Sequence, residues 1–247
     1  MAVAGAMLAP EAYLTIALTA RFAGPDMAHW LGRDELGRDT LSRLLAGATT
    51  AISETLLVVA VALCAGLLLD WARRAFPRLG GALVALARIC FIVPGFLLGP
   101  SRAGNVTMAA LSAALLLPGF IPAMAAVAVF GPGPASGIIA LGLLFAVAVA
   151  YARPATPLAA LAAKLFAWAM LSLSLLDAIG LGTVPPRPSW GTMLGGLNGL
   201  LSLRAPVILS AACLVLAATG ALMLGEALAT RNDELKLPTS PPSSPSR

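Results

Sequence analysis

The chain has 247 residues, of which 59% are hydrophobic and 11% are charged, and its mean hydropathy is +0.91. A soluble domain carries about 25% charged residues, so this composition excludes an ordinary soluble enzyme or binding module. Long runs of Leu, Ala and Val without polar alternation exclude a membrane β-barrel and predict membrane-spanning α-helices. The net charge of +5 is expected to set orientation in the membrane rather than to bind nucleic acid.

The sequence offers no pattern for metal or nucleotide chemistry. Cys64, Cys90 and Cys213 lie in apolar runs without Cys-x-x-Cys spacing, and His29 is the single histidine. We interpret the cysteines as small buried hydrophobic residues and expect neither a metal site nor a cofactor. The sequence also lacks a G-x-x-x-x-G-K-[ST] loop, so any ATP-driven function would need hydrolysis by other subunits.

The start of the chain is apolar, is interrupted by a Pro-Glu pair and has no basic residue before Arg21. This is not the pattern of a signal peptide, so residues 1–25 are interpreted as a remnant or shortened form of a first spanning helix. Residues 26–47 follow as an amphipathic outer segment, which is the most charged stretch of the chain. Within it, Asp39 is expected to cap a short helix.

A transmembrane domain is predicted over residues 48–230, and its first span is expected at about Ala48–Leu69. Three arginines lie between residues 70 and 79, directly after this span. Because short cytoplasmic loops are enriched in Arg and Lys, this loop is expected in the cytoplasm and residues 26–47 outside.

The remaining apolar runs predict an all-α fold, a polytopic transmembrane helical bundle of about five to six helices. Residues 231–247 are rich in Ser and Pro and are expected to form a disordered cytoplasmic tail. The further spans are expected at Gly80–Leu98, Asn105–Phe120, Ile138–Tyr151, Leu158–Leu181 and Pro206–Leu228.

Five ionisable residues lie in or near the predicted spans, and one of them, Arg88 within Gly80–Leu98, is expected to snorkel rather than to have a functional role. Glu54 is expected at interface level, and Glu226 is expected to snorkel or to cap a helix end. Lys164 and Asp177 lie about 20 Å apart along one helix, at 1.5 Å per residue, so they do not pair directly. Each is expected to have another partner or an interface position.

The stretch VPPRPSWGTML separates the last two predicted spans. Pro185, Pro186 and Pro188 fix φ and remove backbone donors, so they predict a rigid extended segment rather than a helix. Trp190 is expected at the membrane–water boundary, where amphipathic rings concentrate. Gly191 is expected to permit a turn.

Two long segments resemble one known family. HWLGRDELGRDTLSRLLAGA, at His29–Ala48, is similar to a signature of the inner-membrane permeases of dipeptide, oligopeptide and nickel ABC importers. LGTVPPRPSWGTML, at Leu181–Leu194, resembles a second motif that this family carries between its last two helices. The two motifs occur in the family's order and on the same predicted face, which indicates the second, or C-type, permease subunit.

The resemblance implies a type I ABC importer permease fold in the bacterial cytoplasmic (inner) membrane. The chain would form half of a translocation pathway for peptides, nickel or metal–chelator complexes. The implied partners are a sister permease subunit, two ATPase subunits, an extracytoplasmic substrate-binding protein and membrane lipid. ATP hydrolysis is expected on the ATPase subunits, so this chain is not expected to be an enzyme.

The resemblance also selects candidate site residues on the outer face. The first group is expected either to lie near the binding protein or the sister subunit, or to form a local salt-bridge network that only shapes the turn. The second group is expected to form a rigid element near the mouth of the pathway. The two groups are Arg33, Asp34, Glu35, Leu36, Gly37, Arg38 and Asp39, and Pro185, Pro186, Pro188, Ser189, Trp190 and Gly191.

The ATPase-coupling pattern of the family, E-A-A-x-x-x-G, corresponds here to SGIIALG at Ser136–Gly142, with Ser136, Gly137, Ala140, Leu141 and Gly142 as its candidate residues. The Ala-Leu-Gly ending matches, whereas the glutamate and the basic residues do not occur. This degenerate pattern favours an alternative function, a decayed or non-transporting paralogue that acts as a membrane scaffold. A stand-alone secondary transporter would need internal repeats and ionisable pathway residues, and the sequence shows little of either.

Overall fold

The computed structural model describes residues 12–76, 124–152 except 126, 156–195 and 204–236. The described helices are α1 (Thr40–Ala75), α2 (Pro134–Ala152), α3 (Leu158–Ala178), α4 (Trp190–Met193) and α5 (Ala205–Lys236). The spans predicted at Gly80–Leu98 and Asn105–Phe120 lie outside the described residues.

Three of these helices are long and apolar enough to cross a membrane: Thr40–Ala75, Leu158–Ala178 and the Ala205–Arg231 part of α5. This confirms the predicted all-α, polytopic bundle. With 36 residues, α1 is about 54 Å long, well beyond a hydrocarbon core of about 30 Å. It therefore extends past the core or crosses it at a tilt.

Helix α1 begins at the predicted cap. The Asp39 carboxylate accepts a hydrogen bond from the Ser42 N–H at 2.8 Å, which confirms Asp39 as the N-cap. The expectation of a separate short helix is wrong, because α1 continues without a break into the predicted span. The first turns are held in the bundle by burial, since Leu44 and Ala48 join a cluster with Trp190.

At the ends of the chain, residues 12–22 form two short 3₁₀ turns whose backbone is tied to the next loop, and the interpretation of residues 1–25 as a remnant of a first spanning helix stays a prediction. Residues 231–236, predicted to be disordered, continue α5, and the rest of that segment lies outside the described residues. The prediction that Cys64 is buried is wrong, since its side chain is exposed on α1.

Glycines set the contact between α1 and α2. A Cβ on Gly142 would lie 2.6 Å from Val61 Cγ1, and a Cβ on Gly66 would lie 2.6 Å from Val149 Cγ1. Only glycine allows the two helices to approach this closely, as small residues do in many membrane bundles. Because the contacts advance in the same order along both helices, α1 and α2 run in the same direction.

The bundle has two distinct ends. We call one the motif end; it comprises residues 12–47, 179–195 and 204–208. The other, the basic end, carries Arg73 and Arg74, which both pair with Asp70 at 2.8 and 2.7 Å. The two segments that resemble the permease family therefore lie at the same end, as the sequence predicts.

Candidate functional site

Asp34 organises the first segment of the motif end. Its side chain is only 4% exposed, and its carboxylate accepts hydrogen bonds from the N–H groups of Leu36 at 2.8 Å and Arg38 at 2.9 Å. The Arg38 Nε donates to it at 2.9 Å, and the Arg43 guanidinium also pairs with it. One carboxylate thus joins the loop to the first turn of α1.

These contacts explain why Asp34 stays ionised. Burial alone would raise the pKa of Asp34, but the N–H groups of Arg38 and Leu36 and the charge of Arg43 act against it. The net effect holds the pKa of Asp34 below its usual range. Asp34, Arg38 and Arg43 therefore form the local salt-bridge network that the sequence left as one of two interpretations.

A second set of contacts closes the loop around Gly37. The Arg33 Nη1 donates to the Gly37 carbonyl at 3.0 Å, and the His29 ring contacts Asp39 at 3.1 Å. Gly37 has a φ of +75°, and a Cβ there would collide with the backbone of Ala17. Glycine is therefore required at this position of the motif, both for its conformation and for space.

The second segment, residues 181–189, contains no helix, as its prolines predict, but Pro185 and Pro186 lie in a turn rather than in the predicted extended conformation. Pro185 and Pro186 are exposed, whereas Pro188 is buried. Ser189 then starts α4 with a capping box: its hydroxyl accepts from the Thr192 N–H at 3.0 Å, and its own N–H donates to the Thr192 hydroxyl at 2.8 Å.

Two buried carboxylates hold this segment to the bundle. Asp177, 6% exposed, accepts hydrogen bonds from the Thr183 N–H at 2.6 Å and from the Ser189 hydroxyl at 2.5 Å. The Thr183 hydroxyl donates to Glu54 at 3.0 Å. Glu54 is 8% exposed, so its side chain is buried within the bundle, and its expected position at interface level stays a prediction. In the sequence, Glu54 is a single acidic residue within an apolar run, and this pattern indicates a residue with a specific role.

Lys164 has a different partner. Its ammonium lies 2.9 Å from Glu226 on α5, and it does not pair with Asp177, as its position along α3 predicts. Lys164 is nearly buried, whereas the Glu226 side chain is 37% exposed. This ion pair joins α3 and α5 toward the basic end.

Trp190 is where the two motif segments meet. Its ring is 4% exposed, and its Nε1 donates to the Leu44 carbonyl of α1 at 3.0 Å. A Cβ on Gly47 would lie 3.3 Å from the Trp190 ring, so α1 packs closely on α4. The Trp190 ring is enclosed between helices rather than exposed to lipid, and its expected depth at the membrane–water boundary stays a prediction.

Gly191 also has a role other than the predicted turn. It lies within α4, and a Cβ there would lie 2.5 Å from Asp177 Cβ and 2.7 Å from Ser174 Cα. Glycine is required because α4 rests directly on the backbone of α3. We refer to Trp190, Gly191 and the residues that they contact in α1 and α3 as the motif contact.

The stretch that corresponds to the coupling pattern, Ser136–Gly142, forms the first turns of α2. Leu141 is 1% exposed and Gly142 packs on Val61, so neither offers a surface to a partner. The Gly133 N–H, just before α2, donates to the Leu181 carbonyl at 3.2 Å, which places this stretch toward the motif end. A coupling role for Ser136–Gly142 stays a prediction.

In the ranges that the structure describes, no group of three or more His, Cys, Asp or Glu side chains is placed to hold a metal ion. The buried carboxylates Glu54 and Asp177 accept hydrogen bonds from residues 183 and 189, and their contacts are those of anchors for a loop. The fold and these contacts define a multi-pass helical membrane protein in which two distant segments form one packed end.

No family profile matches the chain. It is similar to the di/tripeptide transport system permease protein DppC of Pseudomonas aeruginosa, with 30% identity over 198 residues, 66% of this chain and 58% of that protein. It is also similar to the probable D,D-dipeptide transport system permease protein DdpC of Escherichia coli, with 28% identity, 86% of this chain and 76% of that protein.

A third relative is the glutathione transport system permease protein GsiD of Pectobacterium atrosepticum, with 26% identity over 69% of this chain and 60% of that protein. The chain is a distant homologue of these permease subunits. Together with the apolar helices, this makes it a multi-pass protein of the inner membrane. The alignment spans less than two thirds of DppC and of GsiD.

Proposed function

We propose that the chain is a permease subunit of an ATP-driven ABC importer and forms half of a translocation pathway. The motif contact carries this proposal, because Trp190 of one segment that resembles the family contacts Leu44 and Gly47 of the other, and Gly191 packs on Ser174 of α3. A sequence that retained the motifs by chance would not need glycine at both contact points.

The motif end is a rigid unit in this proposal. Asp34 ties the outer loop to α1, Asp177 ties residues 183 and 189 to α3, and Trp190 links α1 to α4. Hydrogen-bonded and closely packed elements move as bodies rather than deforming. ATP binding at the opposite end would rock the helices, and the motif end would open and close the pathway as one piece.

The proposed partners follow from this function. They are a sister permease subunit, two ATPase subunits and an extracytoplasmic substrate-binding protein, with lipid around the bundle. We further propose that the substrate class is short peptides or peptide-like compounds, because the three relatives are named for di/tripeptide, D,D-dipeptide and glutathione transport. None of these three names refers to nickel, so the nickel and metal–chelator expectation receives no support from them.

The site residues keep two proposed roles. The exposed members of the motif end, such as Glu35, Pro185 and Pro186, face outward and are proposed to meet the binding protein or the sister subunit. The buried members, Asp34, Ser189, Trp190 and Gly191, are proposed to hold that surface in shape. Residues 48–230 are proposed as the transmembrane domain that carries both.

One observation favours the alternative, a non-transporting paralogue that acts as a scaffold. The stretch Ser136–Gly142 is uncharged, and three of its residues, Gly137, Leu141 and Gly142, are buried inside the bundle. A coupling element needs an accessible surface for the ATPase.

Purification of the tagged chain from membranes of its native host separates the two functions. An importer subunit is expected to co-purify with two proteins that carry G-x-x-x-x-G-K-[ST] loops and with a second permease, and to support ATP-dependent uptake of dipeptides in proteoliposomes. The Gly191→Ala variant is expected to lose uptake, whereas Gly220→Ala, on an open part of α5, is expected to retain it. A chain that purifies without any such ATPase contradicts the importer function and supports the scaffold.

A further inference from the structure

We propose that a cavity at the motif end binds a small zwitterion, with Arg204 receiving its anionic group and Glu35 its ammonium group. The cavity has a volume of about 270 Å³ and lies between the first loop, α4 and the start of α5. Phe22, Glu35, Thr192 and Arg204 are among the residues that line it. The inference rests on the proposed function only where it names a short peptide as one such ligand.

Arg204 presents an anion site. Its guanidinium lies over the Phe22 ring, 3.9 Å from the ring centroid. A guanidinium stacked on a ring keeps its N–H donors at its edge, where they remain available to an anion. Among the described residues, no carboxylate lies within ion-pair distance of it.

The start of α5 also favours an anion next to Arg204. Arg204 directly precedes α5, and Pro206 and Val207 from its first turn also line the cavity. Pro206 has no N–H and the Val207 N–H donates to the Arg204 carbonyl at 3.0 Å, so the contribution of the helix is its dipole, which favours an anion at this end. The helix terminus and the guanidinium therefore act on the same region of the cavity.

Phe22 is held in place at a conformational cost. Its φ is +56°, in the left-handed region that a bulky side chain rarely adopts. The Phe22 N–H donates to the Asp34 carbonyl at 3.1 Å, and this bond fixes the strained residue on the loop. Strain of this kind concentrates at sites that bind ligands. Here it places the ring beneath Arg204.

The charges around the cavity favour a ligand with no net charge. Among the charged side chains that line the cavity, Asp34 pairs with Arg43, which leaves Glu35 and Arg204 as one acid and one base. In the part of the chain that the structure describes, the Glu35 carboxylate makes no ion pair, and its side chain is exposed. A ligand with one ammonium and one anionic group would satisfy both side chains, whereas a simple anion or cation would satisfy one.

The cavity volume limits the ligand. Pockets for drug-sized molecules measure about 300–1,000 Å³, so a cavity of about 270 Å³ suits something smaller, such as an amino acid or a dipeptide. A phosphatidylethanolamine headgroup carries the same pair of charges. The experiment therefore has to distinguish a soluble zwitterion from a lipid.

Calorimetry on the full chain in nanodiscs of phosphatidylglycerol, a lipid without an ammonium group, tests the proposal. The probes are Ala-Ala, N-acetyl-Ala-Ala, which lacks the ammonium, and Ala-Ala-amide, which lacks the carboxylate. Ala-Ala is expected to bind roughly tenfold more tightly than either capped form, as one lost charged hydrogen bond implies. Equal affinity for the three probes, or no binding of Ala-Ala, overturns the proposal.

Two variants assign the groups. Arg204→Gln is expected to bind Ala-Ala and Ala-Ala-amide equally well and still to prefer Ala-Ala over N-acetyl-Ala-Ala. Glu35→Gln is expected to bind Ala-Ala and N-acetyl-Ala-Ala equally well and still to prefer Ala-Ala over Ala-Ala-amide. Arg187→Gln removes another exposed arginine at the motif end that does not line the cavity, and it is expected to change nothing. If Arg187→Gln has the effect expected of Arg204→Gln, the assignment is wrong.

Nanodiscs with added phosphatidylethanolamine identify the source of the ligand. Unchanged affinity for Ala-Ala supports a soluble zwitterion, and loss of Ala-Ala binding identifies the headgroup as the occupant and overturns the soluble ligand. No ATPase or sister subunit is present in this assay. If calorimetry detects no zwitterion binding, the proposed importer function is therefore not contradicted. If the co-purification fails, a zwitterion site measured by calorimetry is likewise not contradicted.

Discussion

Substituting Gly191 with alanine tests the motif contact directly. The added Cβ would lie 2.5 Å from Asp177 Cβ and 2.7 Å from Ser174 Cα, and it would also meet the Ser174 carbonyl. Two of these three atoms belong to the α3 backbone, so no side-chain rotation can relieve the overlap. α4 has to move away from α3, and overpacking of this kind costs about 1–3 kcal/mol of unfolding free energy.

Gly220→Ala is the matched control. Gly220 lies within α5, and nothing lies within 4 Å of a Cβ built there. Replacing glycine by alanine inside a helix without a new contact is expected to stabilise it by about 0.5–1 kcal/mol. The two variants add the same methyl group, and their expected effects on the unfolding free energy have opposite signs.

Unfolding in mixed detergent micelles, followed by circular dichroism, measures both variants. A change of 1 kcal/mol corresponds to about 2–4 °C in melting temperature for a chain of this size. We expect Gly191→Ala to melt below the unmodified protein and Gly220→Ala to melt at or above it. A Gly191→Ala protein as stable as Gly220→Ala would mean that α4 does not rest on α3 as described.

Two further predictions concern ion pairs. Because the pKa of Asp34 is lowered in the folded protein, its stabilisation is fully present above its unfolded pKa of about 3.9 and is lost as the pH falls through the folded pKa. The Asp34→Asn variant is therefore expected to be less stable than the unmodified protein at pH 7, and the difference should vanish at strongly acidic pH; a constant difference at all pH values would contradict this. For the pair between Lys164 and Glu226, Glu226→Gln leaves a nearly buried ammonium without its partner and is expected to cost about 1–3 kcal/mol, whereas Lys164→Met leaves a partly exposed carboxylate and should cost less. If Lys164→Met melts at a lower temperature than Glu226→Gln, this asymmetry is refuted.

The sequence predicts the helices better than it predicts their contacts. Composition and length identify the long helices, and the side chain of Asp39 identifies the start of α1. The onset of the apolar run at Ala48 is not the start of the helix, because the first turns of α1 are stabilised by packing on Trp190 rather than by their own hydrophobicity. The local sequence pattern contains no information on Trp190, which is distant along the chain.

The same limit explains the errors at the site. A tryptophan next to prolines is typical of a membrane interface, and only the fold shows that the Leu44 carbonyl accepts from its ring. Gly191 was expected to form a turn, because the sequence does not show that α3 passes beneath it. Glu54 and Asp177 are acids in apolar runs, a pattern that marks them as important without revealing that Thr183 lies between them.

The orientation of the bundle in the membrane can be measured directly, because the proposed function requires the motif end to form the outer face. In a variant with its three cysteines replaced, single cysteines at Val184, exposed at the motif end, and at Ala75, exposed at the basic end, can be labelled in intact cells with a membrane-impermeant maleimide. This orientation predicts labelling of Val184→Cys in intact cells and of Ala75→Cys only after the membrane is permeabilised. Labelling of Ala75→Cys from outside, with Val184→Cys protected until permeabilisation, would contradict it.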